Sequence, residues 1–394
     1  MTGPRVLFYV QYLEGIGHLV RAKRIAEALV RRGCRVALML GGNPIPGFVV
    51  TGAELHQLPP LHAGPDSYSK LFTPENVPAD EAYKSARCDQ LLAIYQQVQP
   101  DVLLTEAYPM GRWAMNFELE PLLARANDDQ RRPMIAASLR DILQMPKSSE
   151  KAEKSIALFE RYYDYMLVHG DKELVRIEES FPPLSHLLEQ AYYTGIVAPD
   201  GPSQEMDPAG EPFDVIVSAG GGAIGYDVLA AAIAAKPMSR MAAGRWLALT
   251  GPRMTPENFD RLSMQATATN VHLERYRNGL TGLMARAQLS IQRAGYNTVA
   301  DLLVAECRGV LVPDAAGGQM EQPLRAQKLA ALDRVVVVEE NELSPQNMAD
   351  AIDRALAGEP ANVPFNLDGA AMAADRLCTL SQAYQRAQNT VEPS

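Results

Sequence analysis

Short apolar runs, glycine-containing turns and stretches of helical periodicity follow one another through most of the chain. The clearest unit lies at 213–235, where an apolar run leads into glycines and then into a helical pattern. Backbone N–H groups and the positive end of a helix converge after such a turn, so this unit predicts a phosphate-binding loop. A tight turn without a ligand is the alternative. A membrane span is disfavoured by Asp227 and by the glycines.

The first half of the chain opens with a strand–helix–strand pattern. Residues 5–10 predict a strand, 11–18 a loop, 19–32 a helix with one apolar face, and 35–40 a second strand. Further strands are predicted at 101–105, 134–137 and 165–168. Segment 61–82 is rich in turn formers and predicts a long loop on the ligand side. The opening pattern indicates a parallel sheet.

The second half repeats this alternation. Strands are predicted at 246–249, 270–273, 289–291, 309–312 and 335–338, and helices at 256–266, 298–305, 322–332, 345–357 and 370–388. A stretch rich in proline and glycine, 197–212, is the best domain boundary. We therefore expect an α/β protein of two Rossmann-like domains, whose parallel sheets face a cleft that holds the ligand. The expected parts are an N-terminal domain at 1–196, the linker at 197–212, a C-terminal domain at 213–365, and a C-terminal helix at 366–394 that packs back on the first domain.

Composition narrows the class of protein. The 394 residues carry a net charge of −10, which disfavours a nucleic-acid partner. The four cysteines are scattered without metal-ligand spacing, and they fit a reduced, cytoplasmic protein. The first residues lack a signal-peptide pattern, and no segment predicts a transmembrane helix. A basic cluster on the first helix could lie against the inner face of a membrane, although a solvated helix face is favoured; its members are Arg21, Lys23, Arg24, Arg31, Arg32 and Arg35.

One candidate for chemistry follows the first predicted strand. The sequence G-I-G-H at 15–18 places His18 near the start of a helix, with Arg21 one turn further on. A histidine there is suited to general-base chemistry near neutral pH, although it could also cap the helix or pack against it. The loop lacks the dinucleotide spacing G-x-G-x-x-G, so a dehydrogenase is disfavoured.

Two further candidates lie in the second half. The sequence 290–301 runs from a strand through a glycine turn into a helix that Asn297 or Thr298 can cap. Asp301, one turn into that helix, could hold ribose hydroxyls or be an ordinary solvated acid. Residues 317–327 follow another strand, and their short polar side chains could bind sugar hydroxyls or simply begin a helix.

Taken together, these motifs resemble the GT-B glycosyltransferases. Within that fold they are most similar to the family 28-like branch containing the UDP-GlcNAc transferase of lipid II synthesis, and to the related bacterial "predicted glycosyltransferase" family. The second half carries S-A-G-G-G, R-A-G-Y-N-T-V-A-D-L-L, L-V-P and E-Q-P-L-R-A-Q-K-L. The first half carries G-I-G-H-L-V-R, T-E-A-Y-P-M-G-R, S-L-R-D-I-L and V-H-G-D. The resemblance covers nearly the whole chain and implies a GT-B fold.

The resemblance also implies roles for residues. The diphosphate of the nucleotide-sugar donor would be bound by Ser218, Gly220, Gly221 and Gly222, and the nucleotide by Arg293, Gly295, Tyr296, Asn297 and Thr298. Asp301 would bind the ribose. The sugar would be bound by Gln319, Glu321 and Gln322. His18 would be the catalytic base. The expected acceptor-side residues are Gly15, Gly17, Arg21, Glu106, Arg112, Arg140 and Asp141, of which the last four could instead form interdomain salt bridges. Asp301 replaces the more usual glutamate and Pro323 replaces a second polar residue, so the identity of the sugar is open.

The expected activity is that of a hexosyltransferase. It would move a sugar from a nucleoside diphosphate sugar, with UDP as the favoured nucleotide, to the hydroxyl of a lipid, glycan, protein or small-molecule acceptor. Inversion is what the resemblance implies, because the lipid II enzyme and its relatives invert. Independence of metals and cofactors is expected, because helix ends can stabilise the leaving group and no Asp-x-Asp motif is present. The alternatives are a UDP-sugar hydrolase like that of pseudaminic acid synthesis, which shares G-x-G-H-x-x-R, a UDP-GlcNAc 2-epimerase, and a non-catalytic nucleotide-sugar sensor.

Overall fold

The structure is a computed structural model, and it describes residues 3–13, 15–64, 67–146, 148–202, 212–220, 225–359 and 361–391. The chain divides into two compact units. The first unit consists of Met1–Val197 together with Asp368–Ser394, and the second consists of Ala198–Leu367. Most of the predicted linker lies outside the described residues.

Strands occur in both units. They are β1 (Arg5–Val10), β2 (Arg35–Leu40), β3 (Glu54–Gln57), β4 (His62–Gly64), β5 (Ser67–Phe72), β6 (Val102–Glu106), β7 (Met134–Arg140), β8 (Tyr165–His169), β9 (Ala191–Tyr193), β10 (Val215–Ser218), β11 (Trp246–Leu249), β12 (Val271–Glu274), β13 (Leu289–Gln292), β14 (Arg308–Leu311) and β15 (Val335–Val337).

The helices alternate with these strands. They are α1 (Gly17–Arg31), α2 (Glu81–Val98), α3 (Asn116–Asn127), α4 (Ser149–Tyr162), α5 (Ile177–Ser180), α6 (Tyr226–Ala235), α7 (Pro256–Thr269), α8 (Leu280–Met284), α9 (Tyr296–Val304), α10 (Glu321–Ala331), α11 (Pro345–Ala357) and α12 (Gly369–Val391). None of the helices in these described ranges is long and apolar enough to cross a membrane.

The first unit is organised around a parallel sheet. Among the described residues, it has seven strands in the order β3-β2-β1-β6-β7-β8-β9. The central strands are apolar runs buried on both faces; β1 is Arg-Val-Leu-Phe-Tyr-Val with five of six residues buried. Such runs form where helices cover both sides of a sheet. The chain builds the sheet outward from β1 in one direction and from β6 in the other, so the strand order reverses between β1 and β6.

The second unit has the same plan with fewer strands. In the part of the chain that the structure describes, its parallel sheet has six strands in the order β12-β11-β10-β13-β14-β15. The order reverses between β10 and β13, which are paired in register from Val215 with Leu289 to Ser218 with Gln292. In sheets of this kind, ligands bind beyond the carboxyl ends of the strands at the point of reversal.

The predicted long loop at 61–82 is wrong. Its first part is an antiparallel hairpin, in which β4 pairs with β5 and His62 lies opposite Phe72. The turn formers that suggested a loop lie between the two strands and after them, where Phe72 forms a further bridge with Pro78. The alternation in the segment is too short to stand out from its turns, so the sequence pattern hid the strands.

The last helix belongs to the first unit. α12 packs against α1, and the side chains of Arg32 and Asp375 form an ion pair. Cys34 and Cys378 are free thiols with their Sγ atoms 3.3 Å apart, so two of the cysteines that are scattered in sequence meet in space.

Candidate active site

The reversal point of the first sheet brings together His18 and Glu106. α1 begins at Gly17, earlier than the predicted start at residue 19, so His18 lies in the first turn of the helix and not in the preceding loop. Glu106 is the last residue of β6, the strand beside β1. Both side chains therefore lie at the carboxyl ends of neighbouring strands, where the topology predicts a ligand.

The imidazole of His18 is held by the carboxylate of Glu106. His18 Nδ1 is 2.9 Å from Glu106 Oε1, and Arg21 forms an ion pair with the same oxygen. Arg21 Nη2 also lies 3.1 Å from Nδ1. An ionised carboxylate cannot donate a hydrogen bond, so Nδ1 carries the proton and the guanidinium protons point to the carboxylate. Nε2 of His18 is left with a lone pair and is the atom that can accept a proton.

The charges at this pair are set by burial and by arginines. Burial, helped by the Arg112 guanidinium, lowers the pKa of His18 to about 3 against the opposing effect of the hydrogen bond to Glu106. Burial alone would raise the pKa of Glu106, but Arg21 and the hydrogen bond from His18 outweigh it and hold that pKa well below its usual range. At neutral pH the site therefore contains a neutral imidazole on a charged carboxylate. In this state Nε2 carries no proton and can accept one, and the Glu106 carboxylate partly offsets the effect of burial and of the arginines on the imidazolium that forms.

The remaining predicted residues of the first unit lie around this pair in different ways. Arg112 follows β6 in a left-handed backbone conformation, and its Nε donates to the backbone oxygen of Gln11 over 3.1 Å. Gly17 is the first residue of α1, and Gly15 is exposed with open space where a side chain would project. Their role at the acceptor stays a prediction.

Full burial changes the interpretation of Glu106. It was predicted beside the acceptor, but its side chain is completely enclosed, so it is placed to orient His18. Arg140 is the last residue of β7 and is partly exposed. Asp141 is buried, and its carboxylate accepts a hydrogen bond from the backbone N–H of Ile142 over 2.9 Å. That carboxylate is therefore engaged with its own loop.

Sequence reasoning missed two residues behind Glu106. Ser138 and His169 are fully buried, and the Ser138 hydroxyl donates to Glu106 Oε2 over 2.5 Å. Both occur in motifs that carried the resemblance, S-L-R-D-I-L and V-H-G-D, near the ends of predicted strands. That position was the only signal, because nothing in the sequence shows which strand ends are neighbours.

Acid is expected to destabilise the first unit before its carboxylates titrate. Burial lowers the pKa of both His18 and His169 to about 3, whereas a histidine in an unfolded chain has a pKa of about 6.5. Below pH 6.5 the unfolded chain binds protons that the folded chain excludes. The free energy of unfolding therefore falls as the pH is lowered from 6.5 toward 3. At pH 5 the loss is about 2 kcal/mol for each histidine.

Urea unfolding at pH 7.5 and pH 5.0 measures this loss. The double variant His18→Gln/His169→Gln should lose much less stability between the two pH values than the wild type, and His186→Gln, which changes an exposed histidine, should behave like the wild type. Glu106 adds its own acid sensitivity only below its ordinary value of 4.5. Equal acid sensitivity in the double variant and the wild type would show that other groups are responsible.

The reversal point of the second sheet lies between β10 and β13. Ser218 ends β10 and Gln292 ends β13, and the loop after β10 leads to α6 with Gly225 as its N-terminal cap. Gly220 has a φ of 82°, a conformation that favours glycine. A Cβ on Gly225 would lie 2.2 Å from the Cβ of Ala219, so only glycine allows this close approach. Gly221 and Gly222, also predicted at the diphosphate, lie outside the described residues.

The neighbouring loop presents a second helix N-terminus. Gly295 caps α9, so the first N–H groups of that helix lie shortly after the end of β13. Asn297, Thr298 and Asp301 are half-buried and share one face at helical spacing, and Tyr296 is buried. The loop thus offers backbone N–H groups and short polar side chains, which together fit an anionic, hydroxyl-bearing ligand.

Two residues of this unit that were predicted to bind the donor make contacts within the protein that hold this loop in place. Arg293 is buried, and its Nη2 pairs with Glu340 Oε1 over 2.7 Å. Gln322 Oε1 accepts hydrogen bonds of 3.1 Å from the backbone N–H groups of Ala294 and Asp314. These contacts connect the loops after β13 and β14 to the start of α10. The side-chain oxygen of Gln322 is therefore already engaged with the protein.

A second brace holds the same loop through α10. Arg325 is buried, donates to the backbone oxygen of Ala294 over 2.9 Å, and lies 3.1 Å from Glu321 Oε1. The carboxylate of Glu321, predicted at the sugar, is thus paired with Arg325. Gln319 is exposed and directly follows two left-handed glycines, Gly317 and Gly318. Of the residues predicted to bind the sugar, Gln319 is the most exposed.

Comparison with known proteins bears on the second unit most directly. Residues 216–374 match the family described as the glycosyltransferase family 28 C-terminal domain. The UDP-N-acetylglucosamine--N-acetylmuramyl-(pentapeptide) pyrophosphoryl-undecaprenol N-acetylglucosamine transferase of Thermotoga neapolitana is 30% identical over 191 residues, which are 48% of this chain and 52% of that protein. The Agrobacterium fabrum protein of the same name is 27% identical over 201 residues, which are 49% of this chain and 51% of that protein. The chain thus spans about half the length of the curated relatives it matches.

Solved structures match almost the whole chain at low sequence identity. The calicheamicin glycosyltransferase CalG4 has a TM-score of 0.59 at 15% identity, covering 99% of this chain and 98% of its own. MurG of Acinetobacter baumannii has a TM-score of 0.57 at 12% identity, covering 96% of this chain and 100% of its own. These likenesses concern the fold, and they confirm the predicted GT-B fold with its two Rossmann-like domains. The chain thus has the GT-B fold, and its residues 216–374 match the C-terminal domain of glycosyltransferase family 28.

Proposed function

We propose that the protein moves a sugar from a nucleoside diphosphate sugar to an acceptor hydroxyl. The observation that carries the proposal is His18, whose Nε2 is kept as a proton acceptor by a buried, ionised carboxylate. A base of this kind suits a reaction that begins by removing a proton from a hydroxyl group. The family 28 domain at residues 216–374 supports a nucleotide-sugar site in the same chain.

The proposed chemistry is one direct displacement. His18 Nε2 takes the proton of the acceptor hydroxyl as the acceptor oxygen bonds to the anomeric carbon. The bond from that carbon to the diphosphate breaks, and the nucleoside diphosphate leaves with the bonding electrons. One displacement inverts the anomeric centre. The N–H groups near Gly220 and at the start of α9 would stabilise the charge on the leaving group, so we propose that no metal is needed.

The names of the relatives suggest which substrates to test first. Those proteins are named for transfer from UDP-N-acetylglucosamine to a pyrophosphoryl-undecaprenol acceptor. We propose a UDP-sugar as the nucleotide-sugar donor and place a polyprenyl lipid first among the acceptors to test. A lipid acceptor would require the protein to work at a membrane surface, which we propose is the cytoplasmic face.

A thermal-shift screen with UDP, GDP, TDP and CDP and their sugars is the first test. A ligand that binds the native state raises the midpoint of unfolding according to its affinity and concentration. We expect UDP and one UDP-sugar to raise it, with the same shift in EDTA. Transfer is then measured with the stabilising sugar nucleotide and candidate acceptors. The absence of a shift with every nucleotide would remove the basis for the proposal, and release of free sugar with every acceptor would show a hydrolase.

Asp301→Ala is expected to weaken nucleotide binding about tenfold, because a carboxylate that accepts hydrogen bonds from hydroxyl groups contributes roughly that factor. The Kd of UDP, measured by calorimetry, checks this. Asp260→Ala, on the surface of α7, is the matched control and should bind like the wild type. Unchanged affinity in Asp301→Ala would make Asp301 an ordinary helix residue.

A further inference from the structure

A row of buried polar side chains continues from Glu106 across the first sheet. Ser138 lies opposite Glu106 on the neighbouring strand β7. His169 ends the next strand, β8, and Thr194 directly follows β9. Ser138 Oγ is 2.9 Å from His169 Nε2, and His169 Nδ1 is 2.9 Å from Thr194 Oγ1. All of these side chains are within 1% of complete burial.

The chemistry of the groups fixes the direction of every hydrogen bond in this row. The ionised Glu106 can only accept, so the single hydroxyl proton of Ser138 points to Oε2. The oxygen of Ser138 must then accept from His169, which therefore carries its proton on Nε2. Nδ1 of His169 is left to accept from the Thr194 hydroxyl. Burial lowers the pKa of His169 to about 3, which keeps the ring neutral and this arrangement unique.

We propose that Ser138 and His169 are positioning residues for the base His18. The Ser138 hydroxyl holds the Glu106 carboxylate ionised and rotated, so that Oε1 faces His18 Nδ1 while Oε2 faces away from it. His169 in turn fixes the direction of the Ser138 hydroxyl. The consequence for turnover rests on the proposed function, whereas the hydrogen-bond arrangement does not.

The alternative is a buried polar cluster that serves stability alone. Burying polar side chains at the centre of a sheet costs free energy that apolar residues would not cost. The row of hydrogen bonds begins at the Thr194 hydroxyl. It ends at the partly exposed imidazole of His18, whose side chain is 14% accessible. A row that ends on a reactive nitrogen is what a positioning role requires, and the two roles differ in their effect on kcat.

The pH dependence of turnover distinguishes the roles. The groups that face Glu106 are Arg21 and His18 from α1 and His169 from β8, while Arg112 from the loop after β6 acts on His18. Ser138 adds a neutral hydrogen-bond donor to the carboxylate. Removing that donor destabilises the charged form, so the pair of Glu106 and His18 takes up a proton at a higher pH.

Ser138→Ala is the central variant. We expect its kcat to fall about 10- to 100-fold, the range for losing a hydrogen bond to a charged group, with both KM values unchanged within about twofold. The fall of its kcat on the acid side should also begin at a pH about one to two units higher than in the wild type. Ser138→Thr keeps the hydroxyl and should restore most of the rate. Ser180→Ala, which removes another buried hydroxyl of this unit, should leave kcat and its pH profile unchanged. In Ser138→Ala, a kcat within threefold of the wild type, with an acid-side fall at the same pH as in the wild type, would overturn the proposal.

The second link has its own pair of variants. His169→Gln retains an amide N–H that can donate to Ser138, whereas His169→Phe retains only the bulk of the ring. We expect His169→Phe to resemble Ser138→Ala and His169→Gln to keep most of the activity. Equal kcat values in the two variants would show that the hydrogen bond from residue 169 has no role in positioning.

Histidine ¹⁵N spectra test the arrangement without any assay of activity. Six histidines are present, and the His18 and His169 variants assign the two signals of interest. In the wild-type protein at pH 6, we expect a neutral Nε2–H tautomer for His169 and a neutral Nδ1–H tautomer for His18. The Nδ1–H tautomer or a charged ring at His169 would overturn the proposal, even if Ser138→Ala failed to fold. The expected tautomers in a protein without transfer activity would support the row while refuting the proposed function.

Discussion

His18→Ala is expected to lower kcat by about three orders of magnitude and to leave the Kd of the nucleotide unchanged. A positioned general base contributes roughly 10²- to 10⁴-fold to a rate, and Nε2 of His18 is the atom that the Glu106 carboxylate prepares for this role. The proposed nucleotide site consists of residues of the second unit, so binding should not depend on the imidazole. Steady-state kinetics and calorimetry with UDP measure the two effects.

Two further variants make this prediction sharper. In His18→Asn, the side-chain amide can still donate to Glu106 at the place of Nδ1, but it has no counterpart of Nε2. It should be as inactive as His18→Ala while keeping the stability of the wild type. His186→Ala removes an exposed histidine that lies 3.1 Å from Glu160, and it should be fully active. A kcat within tenfold of the wild type in His18→Asn would show that His18 is not the base.

The second unit was the easier half to predict from the sequence. Strand β11 and helix α11 have the predicted limits, 246–249 and Pro345–Ala357. Parallel strands buried on both faces appear as short apolar runs, and Ser344 with Pro345 marks the start of a helix. The glycines at 220 and 295 indicated the turns that follow β10 and β13. Local patterns were therefore sufficient to predict these elements.

The first unit held elements that local patterns could not reveal. Helix α2 buries Arg87 beside Leu91 and Ile94, so its buried face is not an apolar stripe and no helix was assigned there. Edge strand β3 is largely exposed and was also missed. A helix that buries a charged side chain, or a strand whose residues are mostly exposed, lacks the contrast between buried apolar and exposed polar positions on which periodicity depends.

The site shows the same limit at the level of side chains. His18 and Glu106 were both named from the sequence, but their pairing was not, because it depends on β1 and β6 being neighbours. Ser138 and His169 were missed for the same reason. Arg293 was predicted to face the nucleotide, but its guanidinium is buried against Glu340. Strand order and side-chain direction are set by the packed fold and not by residue type.

Breaking the buried ion pair of Arg87 and Glu118 is expected to have the largest effect on stability. Both side chains are fully buried, with Arg87 Nε 2.6 Å from Glu118 Oε2 and Nη2 2.8 Å from Oε1. The Tyr9 hydroxyl also donates to Glu118, and Gln11 Oε1 accepts from Arg87 over 2.8 Å. Glu118→Ala leaves the guanidinium buried without its carboxylate. It should lower the free energy of unfolding of the first unit by about 3 to 5 kcal/mol.

Fluorescence can follow the first unit alone. The chain has two tryptophans, Trp113 in the first unit and Trp246 in the second. In a Trp246→Phe background, urea unfolding of the first unit is reported by Trp113. Lys154→Ala, which breaks an exposed ion pair with Glu150, is the matched control and should leave the midpoint unchanged.

The double variant Arg87→Met/Glu118→Leu separates the loss of attraction from the burial of an uncompensated charge. If the cost of Glu118→Ala arises mainly from the buried, unpaired guanidinium, removing both charges should recover most of the lost stability. Tyr9 and Gln11 would each lose a partner, so recovery should be incomplete. A double variant as unstable as Glu118→Ala would show that the hydrogen bonds to Tyr9, Gln11 and the backbone of Gly41 outweigh the charge pair. A small effect in Glu118→Ala itself would mean that water reaches Arg87 and that this part of the first unit opens easily.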